Sequence, residues 1–173
     1  ELELSNNNIR IVERDALAGL AGLQSKVFFL NNQGVETIRP WALRTLGRVH
    51  ELMLNNNSLY EIGACTFAGM AQLRLLDMRY NKIDTVQPGA FTGLHSLAVL
   101  NMEDNFLEVL AARMFAHMPN LTTLLLSANN IELVEPDAFG GLSGSLLGLF
   151  LRNNRLRHVK SHYFSGLERL ETL

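Results

Sequence analysis

The pattern leucine–x–leucine–x–x–asparagine recurs along the whole chain, and no other feature restricts the possible fold so strongly. It stands at Leu2/Leu4/Asn7, Leu52/Leu54/Asn57, Leu76/Met78/Asn81, Leu100/Met102/Asn105, Leu124/Leu126/Asn129 and Leu149/Leu151/Asn154. The copies are 24 residues apart wherever neither flank carries an insertion. Self-similarity at a fixed period of a few tens of residues is the signature of a solenoid or an array. A further copy is degenerate and reads as Val27/Phe29/Asn32. Taking Asn31 as its marker would place Lys26 at a core position, and a slip of one residue turns every strand side chain to the opposite face.

The rest of each copy is as regular. An aliphatic residue follows the asparagine by two positions at Ile9, Leu59, Ile83, Leu107, Ile131 and Leu156, with Val35 in that part after one extra residue at Gln33–Gly34. Three residues later come Val12, Ile38, Ile62, Val86, Leu110, Val134 and Val159, and then a bulky residue at Leu17, Leu43, Phe67, Phe91, Phe115, Phe139 and Phe164. Pro40, Pro88 and Pro136 share one place, where a fixed φ starts a turn. One extra residue is read between Leu20 and Val27 and another between Leu142 and Leu149. The glycine run at 140–144 leads into a strand, so it is a loop insertion and not a phosphate loop, which must open a helix.

Physical chemistry turns this pattern into an architecture. Leucine–x–leucine is a short strand with period two, apolar inward and variable outward. Because each copy returns the chain to the start of the next strand, successive strands lie parallel. No single copy buries its apolar face alone, but stacked copies form one continuous core. An inward asparagine carries two donors and an acceptor into a dry turn and must be paired. Identical stacking predicts a ladder at Asn7, Asn32, Asn57, Asn81, Asn105, Asn129 and Asn154, bonded to the backbone of neighbouring turns. The convex phenylalanines are expected to stack likewise into a spine, each burying on the order of 150–250 Å².

The repeat covers the chain from end to end and resembles the leucine-rich repeat family in its 24-residue, animal extracellular form, which carries a phenylalanine in each convex turn. The resemblance implies an α/β leucine-rich repeat solenoid: a right-handed curved superhelix with a parallel concave sheet and irregular or short 3-10 convex turns. Extracellular members usually carry cysteine-rich caps. Leu173 reads as the opening leucine of an eighth copy, so residues 1–173 are expected to be a single uncapped domain of about seven repeats from a longer protein. Any targeting leader or membrane attachment is then expected in other parts of the parent chain.

Composition narrows the function classes. The chain is 47% hydrophobic and 18% charged with net charge −2, which describes a folded protein and argues against nucleic acid as the main partner. No apolar run approaches the roughly 18 residues of a membrane span. The single cysteine, Cys65, leaves no internal disulfide and has no histidine in matching register. His158 and His162 have helical metal-ligand spacing, but on a convex turn without a third ligand. No catalytic constellation, metal site or cofactor is expected.

The variable side of the strands is the candidate surface. Its outward residues include Phe28, Leu30 and Met53, which form one apolar patch, while Asp77, Arg79, Tyr80, Asn101, Glu103 and Asp104 form a polar and mainly acidic centre. Leu125, Phe150 and Arg152 continue it with a second apolar patch. Lateral neighbours sit about 4.8 Å apart, so these clusters are contiguous, and such clusters mark protein contacts. Arg79 and Glu103 are placed to pair across the sheet, at little energetic value. The triplets Asn56–Asn57–Ser58 and Asn120–Leu121–Thr122 are N-glycosylation acceptors, at Asn56 and Asn120, if the protein is secreted. The family resemblance implies an extracellular or cell-surface recognition module, as in adhesion molecules, Toll-type receptors and secreted binding proteins. Its partner would be a protein ligand or cell-surface protein, with homo-association as a variant. An intracellular scaffold or inhibitor built on the same repeat is the alternative.

Overall fold

The two inward residues of each copy are two positions apart, so a strand of two or three residues drives both into one core. The computed structural model describes residues 1–173. Strands Leu2–Glu3, Val27–Phe29, Glu51–Met53, Leu75–Asp77, Val99–Asn101, Thr123–Leu125 and Gly148–Phe150 form one seven-stranded parallel sheet in chain order. We number the turns of the solenoid as rungs one to seven after these strands. Leu52, Leu76, Leu100, Leu124 and Leu149 stand in register across it, all fully buried. The core is one cluster of 40 buried residues running through the solenoid and not seven separate ones. Each such leucine contributes about 1.5–3 kcal/mol on burial, which no isolated rung could collect.

The convex side is mostly turns, with a single 3-10 helix at Ala18–Leu20. It also holds three short parallel pairs that the repeat pattern does not announce: Ile11–Val12 with Thr37–Ile38, Glu61–Ile62 with Thr85–Val86, and Val109–Leu110 with Leu133–Val134. Behind them the rings of Phe67, Phe91, Phe115 and Phe139 stack with centroids 5.9 to 6.3 Å apart. The stack stops there. Phe164 is half-buried and turns its edge to Tyr163, which is buried in its place.

The second rung corrects the expected register. Phe28 pairs with Leu2 and Leu52, and both Phe28 and Leu30 are buried, at 0% and 1% exposure. The residues that face outward are Val27, Phe29 and Asn31. Asn32 is not a ladder residue. It takes the left-handed position of its rung, with φ 57°, beside Asn6, Asn56, Tyr80, Asp104, Ala128 and Asn153 at 53° to 58°. The ladder position belongs to Gln33, which lies 24 residues before Asn57. Val35 therefore needs no extra residue, and the irregularity is two residues between Leu20 and Phe28. Burial decides this: the observed register places Phe28 and Leu30 inside, where the expected one would bury Val27 and Phe29 and expose the leucine.

Gln33 does the work of an asparagine with a longer arm. Its Oε1 accepts from the backbone N–H of Asn7 at 3.0 Å, and its Nε2 donates to the carbonyl of Leu4. In the regular rungs each asparagine joins two turns. Asn105 Nδ2 donates to the carbonyls of Met78 and Met102 at 3.0 and 3.2 Å, and its Oδ1 accepts from the N–H of Ile83 at 2.9 Å. Asn57, Asn81, Asn129 and Asn154 repeat the arrangement. The side chain of Asn7, at the exposed first rung, bonds only within its own rung, donating to the carbonyls of Leu4 and Ser5. No buried side-chain polar atom is left without a partner.

Candidate recognition face

Once the core leucines are inward, strand geometry leaves three rows of side chains on the concave sheet. The first row runs Val27, Glu51, Leu75, Val99, Thr123 and Gly148; the second runs Glu3, Phe29, Met53, Asp77, Asn101, Leu125 and Phe150. A third row follows at Ser5, Asn31, Asn55, Arg79, Glu103, Ser127 and Arg152, and the left-handed residues form its margin. The apolar patch is thus Val27, Phe29, Met53 and Leu75, all half-buried, with Phe29 and Met53 in direct register. Phe28 and Leu30 contribute nothing to this surface, because they fill the core. Leu125 and Phe150 stand in register as the second apolar pair. A Cβ on Gly148 would meet the Phe150 ring at 3.1 Å, so the bare glycine lets that ring lie back over the sheet.

Between the patches the centre is acidic. Asp77, Glu103 and Asp104 stand there with Arg79, while Glu3, Glu51 and Arg152 lie on rungs one, three and seven, so the whole face carries five carboxylates and two arginines. Arg79 does not reach across to Glu103. Its Nε lies 3.1 Å from Asp77 Oδ2, while Asp77 Oδ1 accepts the Arg79 backbone N–H at 3.1 Å. The carboxylate is thereby folded against its own strand and only 7% exposed. Asn101 repeats this Asx turn one rung later, accepting the N–H of Glu103 at 3.0 Å. The exposed groups of the centre are Arg79, Tyr80 and Asp104, with Tyr80 in its left-handed position, and Glu3 and Arg152 are exposed at the two ends of the face.

The other candidate residues lie apart from this face. Asn56 is exposed at its margin, and Asn120 is exposed on the strand-entry edge, its Nδ2 donating to the carbonyl of His95 at 2.7 Å. His162 sits 3.3 Å from the carbonyl of Val134 and edge-on to Tyr163, while His158 is exposed; no three metal-ligating side chains converge anywhere. Cys65 occupies a left-handed convex turn with φ 59°. A convex depression of about 210 Å³ between Pro88 and Met114 brings only Arg113 and His117 as charged or titratable groups, and Arg113 faces Asp137 at 3.5 Å. No helix is long and apolar enough to cross a membrane.

Comparison with known proteins agrees with this geometry. The family described as Leucine rich repeat matches residues 26–83, 47–107, 79–131, 97–145 and 119–173. No curated protein matches the sequence. Among solved structures the chain is similar to the crystal structure of a TLR13–ssRNA13 complex, with 26% identity and a TM-score of 0.67 over 94% of this chain and 26% of that one. It therefore spans about a quarter of that protein's length.

Proposed function

The chain belongs to the leucine-rich repeat family, a binding scaffold by fold, and from that premise we propose that it is an extracellular protein-recognition module whose concave face engages a partner protein. The observation that carries the reading is the juxtaposition of Phe29 and Met53, two large apolar side chains held in register on an ordered sheet beside an acidic centre. Aromatic and methionine anchors ringed by polar groups are the residues that dominate protein interfaces. The sheet is ordered before binding, so little conformational entropy opposes association. Partner surfaces with a basic rim around an apolar centre fit this face.

The extracellular assignment rests on the phenylalanine-bearing repeat and on the exposed acceptors Asn56 and Asn120. The TLR13 structure holds single-stranded RNA, but the concave face here carries four carboxylates besides Asp77, which already pairs with Arg79, against two arginines, a balance that repels a phosphate backbone. An intracellular scaffold is the second reading, favoured by the free thiol of Cys65 in a chain without a disulfide.

Two measurements test this. Photo-crosslinking residues placed at Met53 and at convex Thr92 in the protein in its native setting should capture a protein from the concave position only. Capture from Thr92 alone would overturn the concave assignment. The intact mass of native-source protein should fall on enzymatic removal of N-glycans, and the same cysteine-reduced, unglycosylated mass from cytosol would support the scaffold.

A further inference from the structure

Most arginines outside the last rung are balanced: six lie within 4.0 Å of a carboxylate. The strand-entry edge of rungs two to four is different. Lys26, His50 and Arg74 follow one another in backbone register, with the N–H of His50 donating to the carbonyl of Lys26 at 2.7 Å and that of Arg74 to His50 at 2.7 Å. One row out stand Gln24, Arg48 and Gln72. None of Lys26, Arg48 and Arg74 has an acidic partner; Arg48 Nη1 donates instead to Gln24 Oε1 at 2.6 Å, and His50 Nε2 lies 3.3 Å from Gln72 Oε1. The one acid in these segments, Glu51, belongs to the concave row.

From this edge we infer that the groove binds a sulfated polysaccharide running along the solenoid axis. The groove measures about 350 Å³ between Lys26, Arg48 and His50, with Arg74 one rung further along the same edge, and none of its lining residues is apolar, so an apolar peptide side chain finds no partner there. The cations are spread over two rung spacings, roughly 10 Å, which suits charge repeated along a stiff chain better than one compact ion. Arginine forks match oxyanions in two-point contact, and the amides of Gln24 and Gln72 supply donors and acceptors for sugar hydroxyls. No phenylalanine, tyrosine or tryptophan stands among these residues, and the one imidazole, His50, is tied to Gln72 at 3.3 Å, which leaves no row of rings to stack successive bases and disfavours single-stranded nucleic acid. The stripe ends where rung five brings Ser96 and Ala98, and Asn120 lies a further rung away, so a glycan there leaves the groove open. The groove shares no side chain with the Phe29–Met53 patch, so this site and the proposed protein-binding face stand or fall separately.

Titration of the purified protein with a heparin-derived octasaccharide tests the assignment, with fully desulfated octasaccharide and an oligouridylate of equal charge as comparisons. The sulfated sugar should bind, weaken as salt rises, and lose roughly tenfold or more in affinity in Arg48→Gln with Arg74→Gln, since each lost charged contact is substantial. Arg155→Gln with Arg157→Gln removes the same charge elsewhere and should cost little. An equal loss in both double variants, equal binding of the desulfated sugar, or tighter binding of the oligouridylate would each overturn the proposal. Unchanged circular dichroism in both variants excludes unfolding as the cause.

Discussion

The backbone N–H of Gln33 donates to Oδ1 of Asn57 at 3.0 Å, so the main chain that ends one rung is anchored by the side chain that ends the next. Asn57 also accepts from the N–H of Val35 at 3.0 Å and donates to the carbonyls of Leu30 and Leu54 at 2.8 and 2.9 Å. One buried amide thus satisfies four backbone groups. The stability of the solenoid depends on such amides as directly as on its leucines.

Removing the amide leaves those groups unpaired. Asn105→Ala is expected to destabilise the fold by at least about 1–3 kcal/mol, measured by urea denaturation. Gln33→Ala should fall in the same range, whereas Asn32→Ala removes no ladder bond and should cost about 1 kcal/mol or less through its left-handed backbone. Equal losses at 32 and 33 would contradict the register described above.

That register also separates two adjacent phenylalanines. Phe28→Ala empties a fully buried site and should cost about 3–5 kcal/mol. Phe29→Asp, on the concave surface, should leave the melting temperature nearly unchanged, and combined with Met53→Asp it should abolish capture by a photo-crosslinking residue placed at Asn55 on the same face. Differential scanning calorimetry of the two single variants distinguishes core from surface without any ligand.

Gly69 has φ 96°, and a Cβ there would lie 2.6 Å from the carbonyl oxygen of Arg44. Both the backbone conformation and the space require glycine. Gly69→Ala should therefore destabilise by about 2 kcal/mol or more, with the loss read from the denaturation midpoint at an unchanged slope.

Ala128 holds φ 54° where Asn6, Asn32, Asn56 and Asn153 hold asparagine. Alanine bears the steric cost of this conformation without a side chain that bonds locally. Ala128→Asn should stabilise the protein by roughly 0.5–1 kcal/mol, and a lower melting temperature would show that some contact of the alanine methyl matters more.

The spacing of leucines and asparagines was sufficient to read the parallel sheet, the single continuous core and the phenylalanine stack from Phe67 to Phe139. Each of those follows from one local rule applied identically at every copy. Reading failed where a copy used a different residue for the same task. A glutamine at the ladder position hides a rung from a search for asparagine, although the spacing of Phe28, Leu30 and Gln33 from Leu52, Leu54 and Asn57 carries the missed signal.

What lay beyond pattern was everything set by neighbours in space. Periodicity specifies which face a side chain joins, because alternation is a property of the backbone. It does not specify whether Arg79 turns to Asp77 on its own strand or to Glu103 on the next, nor that Arg48 turns to Gln24 and that no carboxylate reaches the cations at 26, 48 and 74. Those outcomes depend on side-chain conformers and on distances between rungs, and they decide which parts of a regular scaffold are free to meet a ligand.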